Sequence, residues 1–153
     1  MFLWGFIIKN DILAKIIYDM EAYEEKKKLL LDMIAFATVD GQLSKKGYDF
    51  LFLIANELNY GKGGFIDLLS HELPPLPDNM KLNRIKQFYK LLVFFQNDGV
   101  LHKQDPDLIV HIAISMGLDT DAVKNLIKKV KNSPNTSIPD DTLWKMFQDE
   151  SAY

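Results

Sequence analysis

The sequence predicts an all-α fold: one three-helix unit used twice, packed about a pseudo-twofold axis, with an extra helix at each end. Three observations carry this. Apolar residues recur at i, i+3, i+4 and i+7 along most of the chain, the spacing of a buried helix face. One displacement of 58 positions (30 to 88, 40 to 98) lays three such faces of the second half onto three of the first. An Asp-Gly turn stands at the same point of each copy, Asp40-Gly41 and Asp98-Gly99. Each half alone leaves an apolar side open, so the two are expected to share one core as a single all-α domain over residues 1–153.

The N-terminal stretch, residues 1–20, opens with Met1-Phe2-Leu3-Trp4-Gly5-Phe6-Ile7-Ile8 and then meets Lys9, Asn10 and Asp11. A membrane-spanning helix needs about 20 apolar residues, so this run does not span. A signal peptide would carry positive charge before the apolar stretch and small residues at a cleavage site, and neither is present. Ile12, Leu13, Ile16 and Ile17 recur at helical spacing. The favoured reading is an amphipathic helix packed on the core; the alternative is a segment that docks on a partner or lies peripherally on a membrane. Met20 precedes Glu21-Ala22-Tyr23-Glu24-Glu25, a natural helix opening, so a native start at Met20 is a third option.

The first repeat is read over residues 21–72. Its opening helix, 21–38, carries Leu30, Met33, Ile34 and Ala37 inward, with Glu24 four residues before Lys28 in the favourable order for an ion pair. A second helix, 45–58, comes after Asp40-Gly41 and turns Phe50, Leu51, Ile54, Ala55 and Leu58 inward. A short third helix carries Phe65, Leu68 and Leu69. The linker, residues 73–79, includes Pro74, Pro75 and Pro77, which supply no N–H and disfavour helix in the residue before them. Asp78 or Asn79 is placed to cap the helix that opens the second repeat.

The second repeat, residues 80–131, returns the pattern. Phe88, Leu91, Leu92 and Phe95 stand for Leu30, Met33, Ile34 and Ala37; Leu108, Ile109, Ile112, Ala113 and Met116 for Phe50, Leu51, Ile54, Ala55 and Leu58. Val123, Leu126 and Ile127 stand for Phe65, Leu68 and Leu69. Residues 132–153 form a polar connector and a last helix opened by Pro139-Asp140-Asp141, whose Leu143, Trp144 and Phe147 are expected to close the core.

Composition narrows function by exclusion. The chain has no cysteine, so it has no disulfide, thiolate zinc site or Cys nucleophile, and it suits a reducing, cytoplasmic setting. The net charge is −3 and Arg84 is the sole arginine, which argues against nucleic-acid binding, where Arg forks and an excess of positive charge are the usual footprint. His71-Glu72 lacks the second histidine of a zinc-protease motif, and Gly61-Lys62-Gly63-Gly64 comes after a helix and lacks phosphate-loop spacing. His111 is expected at the edge of a buried stripe, and Lys128, Lys129 and Lys131 at a helix C-terminus, where cations suit the dipole.

The Asp-Gly turns admit two readings. As helix punctuation, glycine supplies the left-handed backbone past a helix and aspartate bonds its own turn. Ser44 then caps the next helix in the first copy, and Asp105 before Pro106 does so in the second. As a cation site, Asp-Gly-x-Leu matches the middle of an EF-hand loop. The first loop position would then be Phe36 or Phe94 and the twelfth Gly47 or Asp105, which cannot supply the six to eight oxygens calcium takes. A standard EF-hand is excluded.

The stretches that carry the pattern are Met33-Ile34-Ala35-Phe36-Ala37-Thr38-Val39-Asp40-Gly41-Gln42-Leu43-Ser44 with Ile54-Ala55-Asn56-Glu57-Leu58. Their counterparts are Asn97-Asp98-Gly99-Val100-Leu101 with Ile112-Ala113-Ile114-Ser115-Met116-Gly117-Leu118. Over residues 21–131 this duplicated arrangement resembles the TerB-like (tellurite-resistance protein B) helical domains. The resemblance implies an all-helical fold, divalent-metal binding through clustered acids in some members, and association with bacterial stress-response systems, often near membranes or in multi-component complexes. The family's Glu seven positions after the turn aspartate is Gly47 in one copy and Asp105 in the other, and its serine, kept as Ser44, is His102 in the second.

A non-enzymatic, TerB-like interaction or regulatory module with a protein partner is therefore the leading expectation, since no catalytic constellation is present. The alternative is a divalent-cation binder using Asp40, Asp98 and Asp105, with His102 and Asp107 as weaker candidates; a divalent ion is the one cofactor the sequence raises. An enzyme would need Asp98, His102 and Asp105 to converge within hydrogen-bond reach of a substrate.

Overall fold

A computed structural model describes the backbone of residues 2–98, 106–133 and 136–149, and within these the side chains of 11–98, 107–133 and 136–148. Every regular element among the described residues is an α-helix: α1 (Phe2–Ala37), α2 (Lys45–Glu57), α3 (Lys62–Leu68), α4 (Met80–Asn97), α5 (Pro106–Ser115), α6 (Thr120–Asn132) and α7 (Asp140–Asp149). The chain divides between Pro74 and Pro75 into two compact units.

In the first unit α1 is one helix of 36 residues, where the sequence suggests a fresh start near Glu21. From Phe6 to Ala37 it meets neither glycine nor proline, and the acids at 21, 24 and 25 suit a helix interior as well as a first turn. Thr38 closes it by donating its hydroxyl to the Ile34 carbonyl at 2.9 Å. The Gly41 N–H then donates to the Thr38 carbonyl at 3.0 Å. Gly41 has φ 131°, open to glycine and strained for any residue with a Cβ. Ser44 caps α2 by accepting from the Gly47 N–H at 3.0 Å.

Asn59, at φ 59°, ends α2. The Tyr60 N–H reaches back to the Ala55 carbonyl (2.8 Å) and the Asn59 N–H to Asn56 (3.0 Å), the paired bonds of a Schellman motif. α1 packs on α2, and α2 on α3. Leu29, Leu30, Met33 and Ile34 of α1 are buried, as are Leu51, Ile54 and Leu58 and, from α3, Phe65 and Leu68. Phe65 makes T-shaped contacts with Tyr48 and Phe52 at centroid distances of 5.5 and 5.8 Å. Lys28 pairs with Glu25 at 3.5 Å, three residues back, and not with Glu24 as the sequence order suggests.

In the second unit Asn79 caps α4 by accepting from the Leu82 N–H at 3.0 Å. α4 packs on α6 and α7, α5 on α6, and α6 on α7. Its apolar row, Ile85, Phe88, Leu91, Leu92 and Phe95, is buried, with Ile109, Ile112 and Ala113 of α5 and Val123, Leu126 and Val130 of α6. α5 ends as α2 does: Gly117 has φ 77°, the Leu118 N–H bonds the Ala113 carbonyl (3.0 Å) and the Gly117 N–H that of Ile114 (2.9 Å). Asp119 then caps α6 by accepting from the Ala122 N–H at 3.0 Å. α7 buries Leu143 and Phe147. It is tied in by the Ile138 N–H donating to the Tyr89 hydroxyl (2.9 Å) and by Lys86 with Asp140 (3.2 Å).

Two adjacent residues of α4 test this packing with opposite signs. Phe88 is fully buried, so Phe88→Ala is expected to cost about 3–5 kcal/mol in urea unfolding. Gln87 is buried with an amide nitrogen that finds no acceptor among the described residues, so Gln87→Leu is expected to raise stability by about 1 kcal/mol.

Candidate docking surface

A helix rises 1.5 Å per residue, so α1 extends about 54 Å, whereas α2, its packing partner, extends only about 20 Å. The buried residues of α1 begin at Leu29. Ile12 to Met20 lie about 14 to 25 Å further along the axis, beyond what α2 covers. The consequence is visible in exposure: Ile12, Leu13, Ile16, Ile17 and Met20 are each 47–64% exposed. The sequence favours this segment as a helix packed on the core; its side chains from residue 11 onward are instead in solvent, because the body ends before them.

The exposure has a direction. At 100° per residue, Ile12, Leu13, Ile16, Ile17, Met20 and Tyr23 fall within an arc of about 140°. Asp11, Lys15, Tyr18, Asp19 and Ala22 take the other side. A shallow groove of about 440 Å³ runs along Ile16, Met20 and Tyr23, edged by Asp19 and Glu24. Covering one such side chain fully contributes roughly 1.5–3 kcal/mol, so a partner that covered the stripe would recover several times that.

The stripe meets the body at Tyr23. Its ring stacks on Tyr60 with centroids 4.7 Å apart and planes 14° from parallel. Gly64 lets them close: a Cβ there would stand 3.0 Å from the Tyr60 ring and 3.1 Å from the Tyr23 hydroxyl. Tyr60 is buried, and this desolvation holds its phenol well above the ordinary tyrosine range; the hydrogen bond with Tyr23 and the charges of Tyr23, Glu24 and Asp67 add to the effect.

The second unit has a surface cleft of about 400 Å³ between α4, the turn after α5, and Phe147. Arg84 and Lys81 line it with Gly117, Leu118 and Asp119. Lys81 also lies 5.6 Å from the Trp144 ring centre. The lining holds no histidine, hydroxyl or thiol, and the one carboxylate, Asp119, caps α6. It offers charge and shape but no acid–base pair.

Asp40 is exposed in the turn after α1, and Asp98 is the C-cap of α4, its N–H bonded to the Phe94 carbonyl at 2.9 Å. Asp107 lies in the first turn of α5. His102 and Asp105 are outside the described residues. Among the described residues no three His, Asp or Glu side chains are grouped as a metal would need. His111, expected at the edge of the buried stripe, is exposed, and His71 bonds the Asp67 carbonyl of its own turn at 2.9 Å. Sequence reasoning missed the helix-ending pair Asn59 and Gly117 and the Tyr23–Tyr60 stack; the first was signalled by residue types that tolerate positive φ, the second had no local signal.

Compared with known proteins, the chain matches no family model, no curated protein and no solved structure. Among the described residues no helix is long and apolar enough to cross a membrane.

The Tyr60 phenol gives a pH prediction. Its folded pKa lies above the unfolded value of about 10, so the stability it contributes is complete below about pH 10 and declines as pH rises beyond that. Thermal melts from pH 9 to 12 are expected to fall more steeply for the native chain than for Tyr60→Phe, which keeps the ring and removes the ionisation.

Proposed function

We propose that this chain is a non-enzymatic helical interaction module of the TerB-like kind, linked to bacterial stress response as that resemblance implies, and that it docks through the free apolar stripe of α1. The observation that carries this is the stripe itself: six large apolar side chains on one side of a helix, each about half exposed, where monomers rarely leave contiguous patches beyond a few hundred Å². Support for a repeated unit comes from the helix ends. Ala55, Asn59 and Tyr60 form one Schellman motif and Ala113, Gly117 and Leu118 the other, each 58 positions on (55 to 113, 59 to 117, 60 to 118). The next residues in each copy, Gly61 and Asp119, are the N-caps of α3 and α6. The buried pairs Leu30 and Phe88, Ile54 and Ile112, and Leu68 and Leu126 keep the same displacement.

Docking is tested by placing a photo-crosslinking amino acid at Ile16 or at Tyr18, on opposite sides of the same helical turn. Labelling of a partner molecule in cells is expected from position 16 and not from 18; equal labelling, or none from either, removes the stripe as the contact. The alternative, a divalent-cation binder using Asp40, Asp98 and Asp105 with His102 and Asp107, draws on the resemblance. It requires a heat of binding with calcium, magnesium, manganese or zinc that is lost in Asp98→Asn; calorimetry without heat for all four ions ends it.

A further inference from the structure

Building on α1 as the docking surface, we propose that its occupant is a lipid bilayer surface, with the N-terminal turns inserted shallowly and the stripe lying in the interface. The first argument is the change of pattern along the helix. The run from Phe2 to Ile8 includes no polar residue, so a helix of that sequence has no polar face to offer water. A second copy of the chain, or any single helix, covers one side of such a segment and leaves the others in water. A bilayer covers all of them. From Asp11 to Tyr23 the helix has an apolar arc of about 140° facing a polar side, the pattern of a helix that lies in the headgroup plane with its apolar face buried about 5–10 Å.

Depth is limited by charge: Lys9, Asp11, Lys15 and Asp19 interrupt the apolar pattern, and among the described residues no helix is long and apolar enough to cross a membrane. Charge sets the lipid. Lys9, Lys15, Lys26, Lys27 and Lys28 are offset by Asp11, Asp19, Glu21, Glu24 and Glu25, so the segment has no net charge to draw it to anionic headgroups. The matching surface is zwitterionic, and its hold is hydrophobic and insensitive to salt.

The test is flotation of the full chain with phosphatidylcholine vesicles, with and without about 30% phosphatidylserine, at low and at about 0.5 M salt. A Trp144→Phe variant leaves Trp4 as the sole tryptophan, whose emission should shift to the blue on binding. Binding is expected to agree within about twofold across lipids and salt, and to weaken at least about tenfold in Ile16→Asp/Ile17→Asp, while Tyr18→Asp stays within about twofold of the native chain. These positions lie outside the core, and unchanged melting temperatures will show that the variants fold. Binding only to anionic vesicles, abolished by salt, overturns the assignment. So does absence of flotation. If absence is accompanied by a dimer in sedimentation equilibrium that Ile16→Asp/Ile17→Asp dissociates, the stripe still docks but its occupant is a second copy. If there is neither flotation nor dimer, and position 16 labels nothing, lipid assignment and docking surface fall together.

Discussion

The first unit is governed by a mismatch of lengths. The sequence of α1 carries apolar residues along its whole extent, and among its described side chains only those of the C-terminal turns, from Leu29 onward, form a buried row. Burial favours covering the stripe, but α2 and α3, 13 and 7 residues long, cannot be stretched to do it without unwinding their own hydrogen bonds. The exposure of Ile12 to Met20 is therefore a consequence of where Ser44 and Gly61 start the next two helices and where Asn59 ends the first of them. The Tyr23–Tyr60 stack marks the boundary, and a Cβ on Gly64 would crowd the Tyr60 ring and the Tyr23 hydroxyl.

Helix punctuation was legible because it depends on local chemistry. Ser44, Asn79 and the pair Asp140–Asp141 were each readable as helix openings from residue type alone, and Ser44 and Asn79 make the capping bonds their side chains allow. Buried faces were legible for the same reason: Leu30 with Met33 and Ile34, or Ile109 with Ile112 and Ala113, recur at a spacing only one helical side satisfies. Whether an apolar stripe has something to pack against is not a local property. Ile12, Leu13, Ile16 and Ile17 have the pattern of a core helix, and only the reach of α2 separates them from Leu30 and Ile34. His111 was misplaced because it borders a buried row in sequence yet projects to the open side of α5. The choice of Glu25 over Glu24 by Lys28 lies between two spacings of nearly equal worth on a helix surface.

The Asp-Gly turn that marks the sequence performs a task of backbone geometry at its first occurrence. Gly41 holds φ 131°, where a Cβ is strained, and its N–H is bonded to Thr38. Asp40 beside it is exposed. A hard cation at that position would need most of its oxygens from elsewhere, since one carboxylate supplies at most two. The turn thus explains the path from α1 to α2 by backbone geometry.

That stripe also bears on why α1 stays helical where nothing packs on it. Helix nucleation is costly and propagation is nearly neutral, so a stretch that extends from an already buried turn needs no nucleus of its own. The turns around Leu30 and Ile34 provide that template, and the chain just before them, residues 21–28, is rich in Lys and Glu, which propagate well. Further toward the N-terminus Ile7, Ile8, Ile12, Ile16 and Ile17 are β-branched, and each costs a few tenths of a kcal/mol relative to Ala in an exposed helix. Propensity weakens in the same direction as hydrophobicity rises. In water the two trends oppose helix and solubility alike. On an apolar surface the second outweighs the first: burial of each isoleucine, roughly 1.5–3 kcal/mol when complete, exceeds its propensity cost several-fold. A segment composed this way is held as a helix from one end by its own core and from the other by whatever apolar medium it meets.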